Sequence, residues 1–468
     1  MRPILAETAP LAERFEQAGR RLYLVGGIVR DILLGRALDQ PDIDLTTDAR
    51  PQETKAILRG WADAVWAQGE RFGTIGARKG DRAFEITTHR ADAYYPGSRQ
   101  PDVVYADAIE ADLSRRDFTV NAMALALPEP VLVDPFDGTA DLLVHHRLRT
   151  PRATEDSFRD DPLRMLRAAR FVAGYGLVPE PGLSEAAGAL RHRLEIVSAE
   201  RIRDELDKLL VVEEPAAGLW FLQGTGLFEE FLPEIPAMQL EQDPVHRHKD
   251  VLAHTIAVVS RTRARKDDGS SNRLVRLAAL LHDIGKPKTR SIGPGGVSFH
   301  HHEVVGARMA RERLQALRYP SPEVDAVSRL VELHLRFHGY GEGQGGWTDS
   351  AVRRYVRDAG DLLTELNELT RCDCTTRNER KAAQLSRRMD ALEARIAALR
   401  EQEELQAMRP DLDGRAVMEH LGIGPGPVVG KALAMLLEAR LEHGPLGETE
   451  ARRRLDDWWK AQTSTPRA

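Results

Sequence analysis

The stretch Leu24 to Thr47, LVGGIVRDILLGRALDQPDIDLTT, limits what this chain can fold into more than any other part of it. It reads as a buried strand over Leu22 to Val25, a Gly26-Gly27 turn, a helix from Ile28 to about Gly35, a polar loop, and a second strand carrying Asp42-Ile43-Asp44. Side chains alternate along a strand, so Asp42 and Asp44 point the same way and Ile43 turns to the packed side. Two carboxylates held side by side make a divalent cation site. The Gly-Gly turn lets backbone approach closely, and the helix start offers unpaired N–H groups to an anion, with Arg30 and Asp31 on its first turn. A phosphate cradle beside an acidic pair points to nucleotide chemistry assisted by two metals. An ordinary strand-turn-helix with a solvated acidic end has the same pattern, so the remaining motifs must decide.

A chain of 468 residues is too long for one core and implies roughly three domains. It contains no run of eighteen apolar residues, and its N-terminus reads as an amphipathic helix rather than a signal peptide, so the expected location is the cytoplasm and no membrane partner is expected. The only cysteines, Cys372 and Cys374, are too few for a disulfide framework, which agrees with a reducing compartment. A net charge of −6 argues against nonspecific coating of nucleic acid. Basic residues nevertheless cluster at Arg115-Arg116, His145 to Arg152, Arg164 to Arg170 and Arg191 to Arg203, and a protein that binds RNA with one face can be acidic elsewhere.

Beyond the acidic strand, Pro51 opens a helix, and two β runs follow at Phe72 to Ala77 and Arg82 to Thr88. Glu85 alternates with Phe84 and Ile86, which makes it a candidate third carboxylate. Ala91 to Val104 is expected to be a loop. In Asp112 to Leu127 apolar residues return at helical spacing while Arg115, Arg116, Asp117 and Asn121 crowd one segment, suited to a triphosphate and a sugar hydroxyl. From Thr154 on the pattern is helical. Asp161 and Arg164 are three apart and hence neighbours on a helix. Cytosine and adenine both present an exocyclic amine beside a ring-nitrogen acceptor, so a carboxylate and a guanidinium can read either; uracil and guanine would leave the carboxylate unpaired, which is costly. Arg167 and Arg170 extend that basic cluster and join the nucleotide-binding candidates. Ile196 to Leu210 reads as a scaffold helix with Ser198 at its N-cap.

The set VGGIVRDILLG, DID, RRDFTVNAMA, DDPLRMLRAARF and SAERIRDEL, in this order and spacing, resembles the class II tRNA nucleotidyltransferase and poly(A) polymerase family of the polymerase-β-like superfamily over about the first half of the chain. The resemblance implies that Asp42 and Asp44 bind two Mg²⁺. It further implies that Gly26, Gly27 and Arg30 hold the triphosphate, that Arg116 and Asn121 contact the nucleotide, and that Asp161 and Arg164 act as an amino-acid template for C and A. Asp160 stands where the family often has Glu.

The second half carries a separate constellation: His254, His282-Asp283 in LAALLHDIGK, His302, His334 and Asp373, each on or beside an apolar helical run. Such nitrogen and carboxylate ligands suit a divalent transition metal in a mono- or dinuclear site. Their order resembles the HD superfamily of metal phosphohydrolases over about residues 245 to 375; His300 and His301 are alternative ligands on the sequence alone, and the resemblance implies the position directly before Glu303, His302. Residues 379 to 408 read as a long charged amphipathic helix, and the following segment as two helices about a Gly-Pro turn; that segment resembles the C-terminal region that touches the tRNA elbow in this class.

The expected fold is therefore an α+β nucleotidyltransferase head with a small mixed sheet, residues 1–145, followed by all-α parts: a neck (146–240), an HD metal domain (241–380) and a tRNA-binding tail (381–468). The expected reaction is addition of CCA to tRNA 3′ ends from CTP and ATP without a nucleic-acid template. Alternatives are a poly(A) polymerase or a CC-only or A-only enzyme, and more distantly a metal phosphohydrolase or a noncatalytic RNA-binding protein.

Overall fold

The computed structural model describes residues 2–36, 43–93, 102–240, 250–293, 296–338, 347–374, 379–403 and 409–463. They fall into two compact units, Met1–Pro236 and Ala237–Ala468.

The first unit begins with the helix Arg2–Gln17 and builds nine strands: β1 (Leu22–Val25), β2 (Ile43–Thr47), β3 (Ala64–Trp66), β4 (Thr74–Lys79), β5 (Arg82–Thr88), β6 (Arg90–Ala93), β7 (Asp102–Tyr105), β8 (Ala124–Leu127) and β9 (Val131–Val133). Seven make one mixed sheet in the order β3-β4-β5-β2-β1-β8-β9. Within it β2 and β5 run parallel and the other neighbours antiparallel. Alternation assigns the two faces. Leu24, Leu45, Ile75, Phe84 and Ile86 are buried on one, which faces the core. That core is closed by the helix Pro51–Leu58, which has Pro at its start and the Glu53 carboxylate accepting from the Arg50 amide at 2.7 Å. The opposite face, with Tyr23 and Val25, is covered at its β1–β8 end by the helix Ile109–Ser114 through Ile109 and Leu113. That helix delivers Arg115 and Arg116 at its C-terminal end.

Two sequence expectations change here. The loop expected over Ala91 to Val104 supplies β6 and β7, an antiparallel pair, while residues 94–101 lie outside the described residues. The helical spacing of Asp112 to Leu127 holds only to Ser114; a single 3-10 turn, Thr119–Asn121, follows, and Ala124–Leu127 pairs with all of β1. A four-residue apolar run is compatible with either state, and the open edge of β1 decides it. The short β3 had no sequence expectation at all.

After residue 150 the first unit is helical, apart from a two-residue strand at Val178–Pro179 paired with Arg147–Leu148. The helix Leu163–Tyr175, closed by Gly176 in the left-handed conformation, packs on Ala199–Leu210 and Ala216–Gly224. In the second unit the helices Val251–Arg261, Arg273–Leu281, His302–Ala316, Ser321–Leu333 and Leu363–Asp373 form a bundle with one hairpin, Arg290–Gly293 against Gly296–Phe299. The helix Arg273–Leu281 is buried from Val275 through Leu281, which is why its sequence is apolar nearly all round. Four more helices follow: Asp349–Ala359, Glu379–Glu403, Gly414–Leu421 and Pro427–His443, and then Gly447–Thr463 ends the described chain. The Asp413 carboxylate caps the third of these by accepting from the Ala416 amide at 2.7 Å.

Candidate active site and metal centre

In the first unit, parallel pairing sets Asp44 of β2 directly beside Glu85 of β5, both exposed on the face opposite the core. Asp42 lies outside the described residues. The β1-to-helix turn lies on the other side of Asp44. Gly26 has φ 74°, and a Cβ there would lie 3.2 Å from Arg116 Nη1 and 4.0 Å from Asp44 Oδ2, so the turn, the guanidinium and the carboxylate are packed together. Arg116 is braced by Asp112, which accepts from its Nη2 at 3.1 Å, while its Nε is buried with no partner among the described residues. A cationic donor left open beside a carboxylate pair suits a phosphate group bridged by a divalent cation.

The remaining candidates form a continuous buried network behind this turn. Arg30 is 6% exposed; its Nη1 donates to Asn121 Oδ1, its Nε to Asp31 at 3.1 Å, and its guanidinium lies 4.2 Å from the Tyr175 ring centroid. Asn121 donates to Asp117 Oδ1 at 3.0 Å, and Asp117 Oδ2 accepts from Arg167 Nε at 2.8 Å. Burial alone would raise the Asp117 pKa, but the Arg167 charge and the Asn121 amide hold it well below the usual carboxylate range. Arg170 Nε donates to the buried Glu205 at 2.9 Å, and Arg167 lies 3.7 Å from the same carboxylate. Gly27, a Cβ of which would meet Arg30 Nη2 at 3.3 Å, is part of the same packing.

Asp161 and Arg164 lie where a helix restarts, Asp161 closing Thr154–Asp160 and Arg164 on the first turn of the next helix. Each has a further partner that the spacing alone did not identify. Arg164, 7% exposed, donates from Nη1 to Ser157 Oγ at 2.7 Å and from Nη2 to the Arg115 carbonyl at 2.6 Å. Asp161 Oδ2 accepts from Arg201 Nη2 at 3.3 Å. The signal for Arg201 was present in SAERIRDEL, a segment read as scaffold; Ser157 and Tyr175 had none.

In the second unit the six expected residues converge. Nδ1 of His282, His302 and His334 bonds the carbonyl three residues back (Ala279, Phe299 and Val331), each at 2.7 Å. Those bonds turn all three Nε2 atoms toward Asp283. His282 Nε2 lies 3.2 Å from Asp283 Oδ2, and His302 and His334 Nε2 lie 3.3 and 3.9 Å from Oδ1. His254 Nε2 is 2.9 Å from Asp373 Oδ1 and 3.6 Å from Asp283 Oδ2. The ligand atoms of His254, His282 and Asp283 form one compact triad, and those of Asp283, His302 and His334 a second, with Asp283 common to both. Nε2 of His282, His302 and His334 and Oδ1 of Asp283 are buried without hydrogen-bond partners among the described residues. Four inward-facing orphaned atoms of this kind fit divalent metal. Burial would lower the His282 pKa, but the Asp283 and Asp373 charges push it up to about 10, which shows that the carboxylates favour positive charge at this centre. Lys286, which the sequence reading passed over inside LLHDIGK, donates to Asp283 Oδ2 at 2.6 Å. Gly285 of that motif permits the contact on which the cluster depends: a Cβ there would meet the His302 carbonyl at 2.1 Å.

Comparison with known proteins identifies the domains that carry these residues. Residues 22–147 match the family model of the poly A polymerase head domain, 176–238 that of the probable RNA and SrmB-binding site of polymerase A, and 251–399 that of the HD domain. The A-adding tRNA nucleotidyltransferase of Deinococcus radiodurans is 36% identical over 94% of this chain and 96% of its own length. The CC-adding tRNA nucleotidyltransferase of Thermus thermophilus is 32% identical over 94% of this chain and 93% of its own. Among solved structures, the Bacillus stearothermophilus CCA-adding enzyme in complex with CTP shares the fold, with a TM-score of 0.67 at 24% identity over 99% of each chain. Among the described residues no helix is long and apolar enough to cross a membrane. Both domain types imply the use of divalent metal. The chain belongs to the tRNA nucleotidyltransferase and poly(A) polymerase family, as an enzyme that couples a nucleotidyltransferase head to an HD domain.

Proposed function

We propose that this enzyme adds CCA to tRNA 3′ ends from CTP and ATP, with tRNA as its acceptor. The observation that carries the reading is the pairing of Asp44 with Glu85 beside the Gly26–Arg116 turn, in a chain whose full-length relatives are tRNA nucleotidyltransferases. Asp42, Asp44 and Glu85 are the proposed Mg²⁺ ligands, and their all-oxygen donor set suits that ion. Bound there, Mg²⁺ would favour ionisation of the terminal ribose hydroxyl and neutralise charge on the departing pyrophosphate. Arg116 receives the phosphates. Asn121, fixed by Asp117 and Arg30, is oriented toward the nucleotide. Arg164 and Asp161 read the base, so no nucleic-acid template is required. Head, neck, HD and tail functions divide in this reading near residues 145, 240 and 380.

The experiment is incubation with Mg²⁺ of three tRNA transcripts ending in the discriminator base, in C and in CC, each with CTP, ATP or both. Addition of CCA followed by a stop is the expected result. The 36% identical relative is A-adding and the 32% identical one CC-adding, which favours a second reading in which this chain performs one part of the addition. Under that reading extension is confined to the CC-ended transcript, or halts at CC. For the second unit we propose a mono- or dinuclear transition-metal centre that His254, His282, Asp283, His302, His334 and Asp373 would hold, and that would supply phosphohydrolase chemistry on RNA ends or small nucleotides. The two triads that share Asp283 support it.

A further inference from the structure

The row of side chains that contains the acidic pair continues across the sheet to an aromatic residue that none of the motifs includes. Sheet register aligns Asp44 with Glu85, Glu85 with Gly76, and Gly76 with Trp66 of the edge strand β3. All four positions lie on the face opposite the core. The indole is laid over Gly76: a Cβ there would fall 2.0 Å from Nε1 and 2.1 Å from Cε2 of the ring. Only a residue without a side chain permits this, and the ring nevertheless remains 38% exposed. Arg78, two residues along β4 from Gly76 and paired with Ala64, is exposed on the same face, which adds a positive charge to it.

The position of this ring relative to the acids selects what it can bind. The turn at Gly26 and Arg116 adjoins Asp44 on the β1 side, whereas Trp66 lies on the β5 side, about 10 Å away at two strand spacings from Asp44 to Gly76. Displacement at the α-phosphate is in line, with attacking and leaving oxygens on opposite sides of the phosphorus. With the pyrophosphate held by Arg116 on the β1 side and the displacement axis running across the strands, the attacking ribose hydroxyl would come from the β5 side, where the ring is exposed. Resting on the nucleotidyl-transfer reading above, we infer that Trp66 is a stacking platform for the 3′-terminal base of the acceptor RNA, with Arg78 facing the adjacent phosphate. Stacking is indifferent to base identity, which suits a terminus whose base changes with every addition.

The test uses the full chain with Mg²⁺ and the three transcripts, and reads the KM for RNA and for nucleotide separately. Trp66→Ala is expected to raise the RNA KM about tenfold, the loss typical of removing one aromatic–base stack, and to leave the nucleotide KM within about twofold. Trp66→Phe should restore most of the difference. A transcript ending in 2-aminopurine should be quenched on binding the wild type and far less on binding Trp66→Ala, a signal that a merely structural role for the ring would not produce. An unchanged RNA KM, a parallel rise in both KM values, or quenching that survives Trp66→Ala overturns the platform while the wild type still extends tRNA. A wild type that extends none of the transcripts overturns the nucleotidyl-transfer reading itself and the platform with it.

Discussion

Asp44 gains its chemistry from its neighbours more than from its own position. A carboxylate on an exposed strand is ordinary; one beside Glu85 and against a glycine turn that carries Arg116 is equipped to share a cation with a phosphate. Asp44→Ala should therefore lower nucleotide incorporation by more than the roughly 100-fold that loss of a supporting partner of a metal ligand costs, with tRNA affinity in a gel-shift assay almost unchanged. Retained incorporation would remove the metal assignment. Arg164 presents the complementary case of a residue whose position is over-determined, by Ser157 Oγ on one nitrogen and the Arg115 carbonyl on the other. Such a guanidinium discriminates by leaving the wrong base unpaired. Arg164→Ala should reduce rejection of UTP from roughly 10⁴-fold toward the roughly 10²-fold available to shape alone, read as the ratio of kcat/KM values for CTP and UTP. A ratio that did not move would refute the amino-acid template.

The helix Leu163–Tyr175 links the proposed base-reading pair to the helix that follows the Gly26-Gly27 turn, through the contact of Tyr175 with Arg30. Arg164, Arg167 and Arg170 recur every three residues along it, so the spacing that groups them in the sequence also aligns them on one side. Their partners come from elsewhere: Arg167 meets Asp117, Arg170 meets Glu205 on the helix Ala199–Leu210, and Tyr175 stacks on Arg30. Sequence reasoning identified these arginines as nucleotide-binding candidates; the structure shows where each is anchored. Asp117→Asn keeps the size of the side chain but leaves Arg167 facing a neutral amide. It should cost about 2–3 kcal/mol of stability in urea denaturation, below the full value for a buried pair because Arg167 is partly solvated. The pH dependence has a definite sign. The folded pKa of Asp117 is depressed, so its contribution is complete above the ordinary carboxylate value of about 4, declines as pH falls below that value and is lost as pH falls through the lower folded pKa. Below that value the gap between wild type and Asp117→Asn should narrow. A gap that stays constant into acid would assign the lost stability to packing.

In the whole molecule, the two sets of chemistry reside in separate units: the described nucleotidyl-transfer candidates precede residue 236 and all six histidine-centre residues follow residue 237. If the histidine centre holds a transition metal, the double variant His282→Ala with Asp283→Ala should carry less of it than the wild type by elemental analysis and lose any phosphohydrolase activity, while tRNA extension continues at the wild-type rate. Loss of extension would mean that the two centres are coupled. Much of this division was legible in the sequence, because each centre is announced by local patterns that need no tertiary information. A glycine pair favours a turn, alternation on a strand turns Asp44 away from Ile43 and Glu85 away from Phe84 and Ile86, and LLHDIGK ends an apolar helix with a histidine and an aspartate. Convergence was expected from the family resemblance and is not written in the spacing. Nothing in the spacing of His254, His282, His302, His334 and Asp373 states that a Cβ missing from Gly285 lets two helices touch and share one carboxylate between two triads. The same limit explains β8, whose apolar run continues the helical spacing of Asp112 to Leu127 and is extended because the edge of β1 accepts it. It also explains Ser157, Arg201 and Trp66. Sequence determined which side chains can ligate, donate or stack, since that follows from covalent chemistry and local periodicity. Tertiary structure alone decided which of them meet, because contacts between residues far apart in the chain depend on which faces of different elements bury each other.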